Sequence, residues 1–272
     1  MRNPQPRREY TSMELTNLIS TSDTVDIYKV GNMAVKLFKE GTAKTAALYE
    51  ALTHSRVEAT GLRVPVIHEV SVIGNRWAIH MDCIEGETLA DRMKKDPANM
   101  DRYIEQMLDI QLEIHSKITP KLSKLKDKLN RLINSLDCID DVKKYELLTR
   151  LDSMPKHVKL CHGNFMPENI ILSDKGTYVV DWVAARQGNA SADVGKTYLL
   201  LCLKMPDIAE KYLNLFCEKT GTSKRYVQEW LPIVAAARLT EEIPEEKDFL
   251  MYMNLPQKNA DLVRMNSSMS FW

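Results

Sequence analysis

Cys161-His162-Gly163-Asn164-Phe165-Met166-Pro167-Glu168-Asn169 runs into Ile170-Ile171-Leu172, and the chain then closes on Val179-Val180-Asp181-Trp182. Two β-prone runs, Ile170–Ser173 and Thr177–Val180, flank Asp174-Lys175-Gly176, a turn chemistry that predicts a hairpin. A third short run, Val158–Cys161, leads into it. Asn169 and Asp181 fall at the two ends of that hairpin, where their side chains can converge. An amide oxygen and a carboxylate are hard ligands of the kind Mg²⁺ accepts beside phosphates. Asn164 sits on the loop entering the hairpin, near where an acceptor hydroxyl would approach.

Upstream, short strand-like runs dominate. Val25–Val30 and Met33–Lys39 flank Gly31-Asn32, and Val66–Val72 and Arg76–Asp82 flank Gly74-Asn75. Thr42–Thr60 reads as a helix closed by Gly61, and Val64-Pro65 breaks the chain. Beyond Glu85-Gly86 the pattern turns helical. Lys121–Asp137 places Leu122, Leu125, Leu129, Leu132, Ile133 and Leu136 on one stripe, the mark of a core-facing helix. Helices return from Ser191 to near the end. This order predicts an α+β fold: a small sheet lobe over residues 1–84 and a helical lobe over 85–272 that carries the hairpin. A cleft between such lobes is a common ligand site.

The loop and hairpin resemble the catalytic segment of aminoglycoside phosphotransferases, choline kinases and related small-molecule kinases. Their pattern is His-Gly-Asp-x-x-x-x-Asn, an apolar strand, a turn, and Ile-Asp-Trp or Ile-Asp-Phe. It is their version of the protein-kinase catalytic loop and metal-binding segment. His162, Gly163, Asn169, Asp181 and Trp182 match with the right spacings. The resemblance extends over Val25–Leu203. Ala34-Val35-Lys36-Leu37-Phe38 looks like the strand that carries the phosphate-binding lysine, and Gly61-Leu62-Arg63-Val64-Pro65 looks like the family's Gly-Leu-Pro-Val-Pro.

The resemblance implies a two-lobed protein-kinase-like fold and ATP-dependent phosphorylation of a hydroxyl on a small molecule. It implies that Lys36 contacts the nucleotide phosphates and pairs with Glu50, with Glu58 as the alternative partner. Backbone groups of Asp82, Cys83 and Ile84 would meet the adenine edge, and Asn169 and Asp181 would hold Mg²⁺. His162 becomes a scaffold for the loop, and Asp193 is structural. One departure stands at the centre: Asn164 occupies the place of the family's Asp base, and an amide cannot take up a proton at neutral pH. The alternative function is therefore an inactive pseudokinase that binds a nucleotide or metabolite. A second departure is Ser20-Thr21-Ser22-Asp23-Thr24, which has no glycine where the phosphate-covering loop usually has one. Gly163 in place of Arg, with no Ala-Pro-Glu after Asp181, argues against a protein kinase.

Bulk properties agree with a globular enzyme. Lys plus Arg and Asp plus Glu are both 37 in 272 residues, so no charge excess points to nucleic acid or an anionic membrane. Cys83, Cys138, Cys161, Cys202 and Cys217 form no C-x-x-C pair and read as buried, reduced thiols of a cytoplasmic protein. Met1–Tyr10 is polar and basic without an apolar segment behind it, unlike a secretory signal. The longest apolar run, Tyr198–Leu203, is too short to span a bilayer. His54, His68, His80, His115 and His157 lack metal-like spacing and read as surface or partly buried residues. The acidic run Glu241–Asp248 reads as a helix start with Pro244 at its first position, or as a receiver for a cationic substrate.

Overall fold

The structure, a computed structural model, describes residues 15–253, so Met1–Tyr10 lies outside the described residues. In chain order the strands and helices are β1 (Leu18–Thr21), β2 (Val25–Val30), β3 (Met33–Phe38), α1 (Lys44–Glu58), β4 (Ile67–Ile73), β5 (Arg76–Asp82) and β6 (Glu87–Thr88). There follow α2 (Leu89–Lys95), α3 (Met100–Ser116), α4 (Leu125–Asn134), α5 (Asp141–Ser153), β7 (Lys159–Cys161), β8 (Ile170–Ser173), β9 (Gly176–Val179) and β10 (Arg186–Gly188). The chain continues in α6 (Ala190–Lys204), α7 (Pro206–Thr220), α8 (Lys224–Leu239) and α9 (Lys247–Met253). The fold is α+β, with an antiparallel five-stranded sheet in the N-terminal lobe and a helical C-terminal lobe.

Two compact units make up the chain. Of the described residues, one takes in those up to Thr88 together with Ile170–Val183; the other takes in Leu89–Asn169 and those from Ala184 to Met253. In the first, the sheet order is β1-β2-β3-β5-β4. The β4–β5 turn pairs Ile73 with Arg76 across Gly74 and Asn75, both at positive φ (53° and 66°). Two residues in that conformation match the right-handed twist of the strands they join. On one sheet face Phe38 and Ile79 pack with Ala47 and Ala51 of α1. On the other, Val35, Leu37 and Ala78 form a second cluster. The same unit holds a three-stranded sheet, β6-β8-β9, with Ile170 paired to Val179 and Ser173 to Gly176.

In the helical unit, Trp230, Tyr198 and Tyr212 are the large buried side chains around which α6, α7 and α8 pack. Asn189 caps α6, its side chain accepting from the Ser191 N–H at 2.9 Å. The helix expected over Lys121–Asp137 is shorter, Leu125–Asn134. At its start Lys124 bridges to Gln187, and the Ser123 carbonyl accepts from the Gln187 N–H, so pairing with β10 competes with helix there. Leu122, Leu129, Ile133 and Leu136 are nevertheless buried.

The five cysteines are free, but only Cys161 is fully buried and Cys138 is exposed. His54, His80 and His115 are fully buried, which the sequence did not indicate. Among the described residues no helix is long and apolar enough to cross a membrane.

Candidate active site

Strand alternation sets the first group. Lys36 points to the same face as Phe38, the face covered by α1. Ala47 and Ala51 are small enough to let α1 lie close, and Glu50 sits between them along the helix. Lys36 and Glu50 form an ion pair with both side chains largely shielded, at 11% and 12% exposure. The Lys36 ammonium also lies 3.9 Å from Asp181 Oδ1. Glu58, the alternative partner, is used elsewhere: it accepts from the Ile67 N–H at 3.1 Å and lies 3.7 Å from His54.

Asp181 has φ 63°, one of three non-glycine residues at positive φ among the described residues. Asp tolerates this conformation better than bulky residues do, at a cost of about 1 kcal/mol that surrounding contacts must offset. Those contacts are visible. The Trp182 indole is buried and donates to the Val179 carbonyl at 2.9 Å, fixing the chain just after Asp181. The Val179 N–H donates to the Arg63 carbonyl, and the Arg63 guanidinium donates to the Lys175 carbonyl at 2.6 Å. The hairpin is thereby tied to the segment that follows α1.

The other expected nucleotide contacts lie at the end of β5. The Asp82 N–H donates to the Val66 carbonyl and the Cys83 N–H to the Asn32 carbonyl, both at 3.0 Å. The Asp82 carboxylate accepts from the Val66 N–H at 3.1 Å and lies 2.8 Å from the His68 ring. No acceptor among the described residues meets the Ile84 N–H. Between β1 and β2, the Ser22 hydroxyl accepts from the N–H groups of Thr24 and Val25 and so closes its own turn.

The second group belongs to the helical unit. The Asp193 carboxylate, fully buried on α6, gathers the loop. It accepts from the Gly163 N–H at 2.7 Å and the His162 N–H at 3.1 Å, and it meets His115 at 2.9 Å and Gln111 at 3.3 Å. Burial pushes the Asp193 carboxyl up, but the hydrogen bond and charge of His115 and the Gly163 N–H outweigh it and hold it down at about 2. Gly163 has φ 79°, and a Cβ there would meet the Ala184 carbonyl oxygen at 2.6 Å. Only glycine fits both constraints.

The buried His162 ring accepts from the Asn164 N–H at 3.2 Å, a scaffold role. The Asn169 amide donates to the Asn164 carbonyl at 2.9 Å, which leaves its own oxygen to face another ligand. Sequence reasoning did not single out Gln111, and it reads His115 as a surface or partly buried residue, whereas both are buried. Their spacing of four on α3 puts them on one helix face, which is the signal that was available.

The family model described as "Phosphotransferase enzyme family" matches residues 24–230. The chain belongs to this family. No curated protein matches the sequence. Among solved structures, a thermostable mutant of aminoglycoside phosphotransferase APH(4)-Ia in its apo form is similar to this phosphotransferase-family chain, with TM-score 0.64, 12% identity and 94% of each chain covered. Choline kinase LicA from Streptococcus pneumoniae aligns with TM-score 0.58 and 18% identity over 92% of this chain and 89% of its own. A choline/ethanolamine kinase family protein from Mesorhizobium loti aligns with TM-score 0.61 and 13% identity over 94% and 93%. At these identities the likeness is one of fold.

Proposed function

We propose that this chain is an ATP-dependent phosphotransferase acting on a hydroxyl group of a small molecule. The observation that carries the reading is Lys36 held between Glu50 and Asp181. A lysine shielded from water and flanked by two carboxylates is poised to meet a further set of anionic oxygens. APH(4)-Ia has been solved with AMP-PNP and hygromycin B, in keeping with a nucleotide and a small-molecule acceptor.

Asn169 and Asp181 suit Mg²⁺, which prefers one or two protein oxygens beside phosphates and water. Asp181 is a carboxylate fixed in an unusual backbone conformation, and Asn169 has its amide N–H₂ committed to the loop. The ion would neutralise charge on the phosphates. In the proposed roles, Lys36 binds phosphate oxygens, Glu50 keeps its ammonium oriented, and the Ile84 N–H offers a donor to the adenine edge beside Asp82 and Cys83. Asn164 orients the acceptor hydroxyl through its side-chain oxygen. The acceptor oxygen forms the new bond to phosphorus as the bond to the ADP oxygen breaks. The hydroxyl proton leaves to a phosphoryl oxygen or water, because the amide cannot hold it. We place this work in the cytoplasm, where thiols stay reduced.

Asn164 favours a second reading, a nucleotide-binding module without turnover. Binding tests what both readings share. Mg²⁺-ATP at millimolar concentration should raise the melting temperature of the wild type, and Asp181→Ala should abolish the Mg²⁺-dependent part. No shift with ATP or GTP would overturn the proposal; binding without any ADP release across acceptors would leave the second reading in its place.

A further inference from the structure

Glu50, His54 and Glu58 follow one another at intervals of four and share one stripe of α1. Glu50 holds Lys36. The buried His54 ring donates from Nε2 to the Pro65 carbonyl at 2.6 Å, and Glu58 accepts from the Ile67 N–H at 3.1 Å. The helix that carries Glu50 therefore also grips the stretch that leaves its C-terminal end.

Arg63 lies in that stretch, where the resembling pattern Gly-Leu-Pro-Val-Pro has proline. Its carbonyl accepts from the Val179 N–H at 3.1 Å, two residues before Asp181. Its guanidinium reaches the turn of the same hairpin and donates from Nη1 to the Lys175 carbonyl at 2.6 Å. Gly176 has φ 120°, and a Cβ there would fall 1.5 Å from that Nη1. The guanidinium thus rests on main chain at a point that only glycine leaves open. Arg63 is exposed, and no carboxylate among the described residues pairs with it. A proline at this position would still offer the carbonyl, but it has no side-chain donor for the turn.

Resting on the phosphotransferase reading, we propose that Arg63 is a positioning residue, a clamp that ties the β8–β9 hairpin to the stretch gripped by α1 and so keeps Asp181 in register with Lys36 and Glu50. Asp181 follows the hairpin at φ 63°, a conformation that its own backbone preference does not supply. Its Oδ1 lies 3.9 Å from the Lys36 ammonium. A carboxylate misplaced by about 1 Å can cost on the order of 100-fold in an arrangement of this kind. Arg63 acts through Asp181, as outer partners of metal-binding carboxylates do. A hydrogen bond at the surface adds little to overall stability, so the clamp should show in ligand binding and local opening and not in melting.

The test uses the whole chain and calorimetric titration with ATP, once in Mg²⁺ and once in EDTA. Arg63→Ala should weaken binding in Mg²⁺ about tenfold, leave binding in EDTA unchanged, and melt within about 2 °C of the wild type. Arg63→Lys still offers a donor to a single carbonyl and should recover most of the Mg²⁺-ATP affinity. Gly176→Ala displaces the guanidinium, so adding Arg63→Ala to it should cost nothing further. Without any ligand, Arg63→Ala should speed hydrogen exchange of the Val179 N–H about tenfold and leave the β3–β5 ladder unchanged. Unchanged Mg²⁺-ATP affinity in Arg63→Ala, an equal loss in Mg²⁺ and EDTA, no recovery in Arg63→Lys, additive losses in the double variant, or Val179 exchange at the wild-type rate would overturn the clamp. A wild type that binds no ATP would count against the phosphotransferase reading, and the exchange of Val179 would then decide the clamp by itself.

Discussion

Asp193→Asn removes one charge and one acceptor oxygen at the point where the loop is anchored. In the wild type one carboxylate oxygen accepts from the Gly163 N–H, and the other meets the His162 N–H, His115 and Gln111. An asparagine keeps only one acceptor oxygen, so in either orientation an N–H₂ group faces at least one buried donor. Leaving buried donors and a histidine without their carboxylate costs about 3–5 kcal/mol. At about 2–4 °C per kcal/mol for a chain of this size, the melting temperature should fall by about 6–20 °C at pH 7. The pH dependence has a definite sign. The native carboxyl is held at about 2 against an ordinary value of 3.8, so its contribution is complete above that ordinary value and is lost as pH falls through about 2. The stability difference between wild type and variant, measured by urea denaturation, should therefore shrink between about pH 4 and pH 2. A variant melting within about 2 °C of the wild type at pH 7, or a difference that does not change with acid, would refute the anchor.

Two further substitutions separate the remaining roles. Asn164→Asp should raise phosphotransfer or basal ATP hydrolysis at least roughly tenfold, with the gain lost in acid as the carboxylate protonates; equal rates for both forms across pH would remove the argument for a missing base. Glu50→Gln should weaken Mg²⁺-ATP binding by about tenfold or more by isothermal titration, whereas Glu58→Gln should leave it unchanged; the reverse pattern would transfer the pairing to Glu58.

The sheet was legible because its turns carry Gly31-Asn32 and Gly74-Asn75 between alternating runs, and local chemistry of that kind needs no tertiary context. The pairing of Lys36 with Glu50 was legible through resemblance, since a lysine in an apolar strand says little alone. Short strands escaped. β6 and β10 have two and three residues, and each exists because a distant strand, β8 or β7, supplies its partner. The buried grouping of Gln111, His115 and Asp193 escaped for the same reason, because it joins residues 82 and 78 positions apart.

Asn164 acquires a second meaning from its surroundings. Its main chain is fixed at both ends, its N–H by His162 and its carbonyl by Asn169, so an Asp of nearly the same shape fits the same loop. Exchange at this position thus tests chemistry rather than folding. A carboxylate here would take the proton of the acceptor hydroxyl. An amide gives up proton transfer, a smaller sacrifice in phosphoryl transfer than in most group transfers because positioning and charge neutralisation dominate its loose transition state. Asn164→Asp should then raise kcat and leave KM nearly unchanged, because the carboxylate acts on the proton that leaves only in the transition state. A change in KM as large as the change in kcat would show that the residue acts in binding the acceptor and not in the transfer itself.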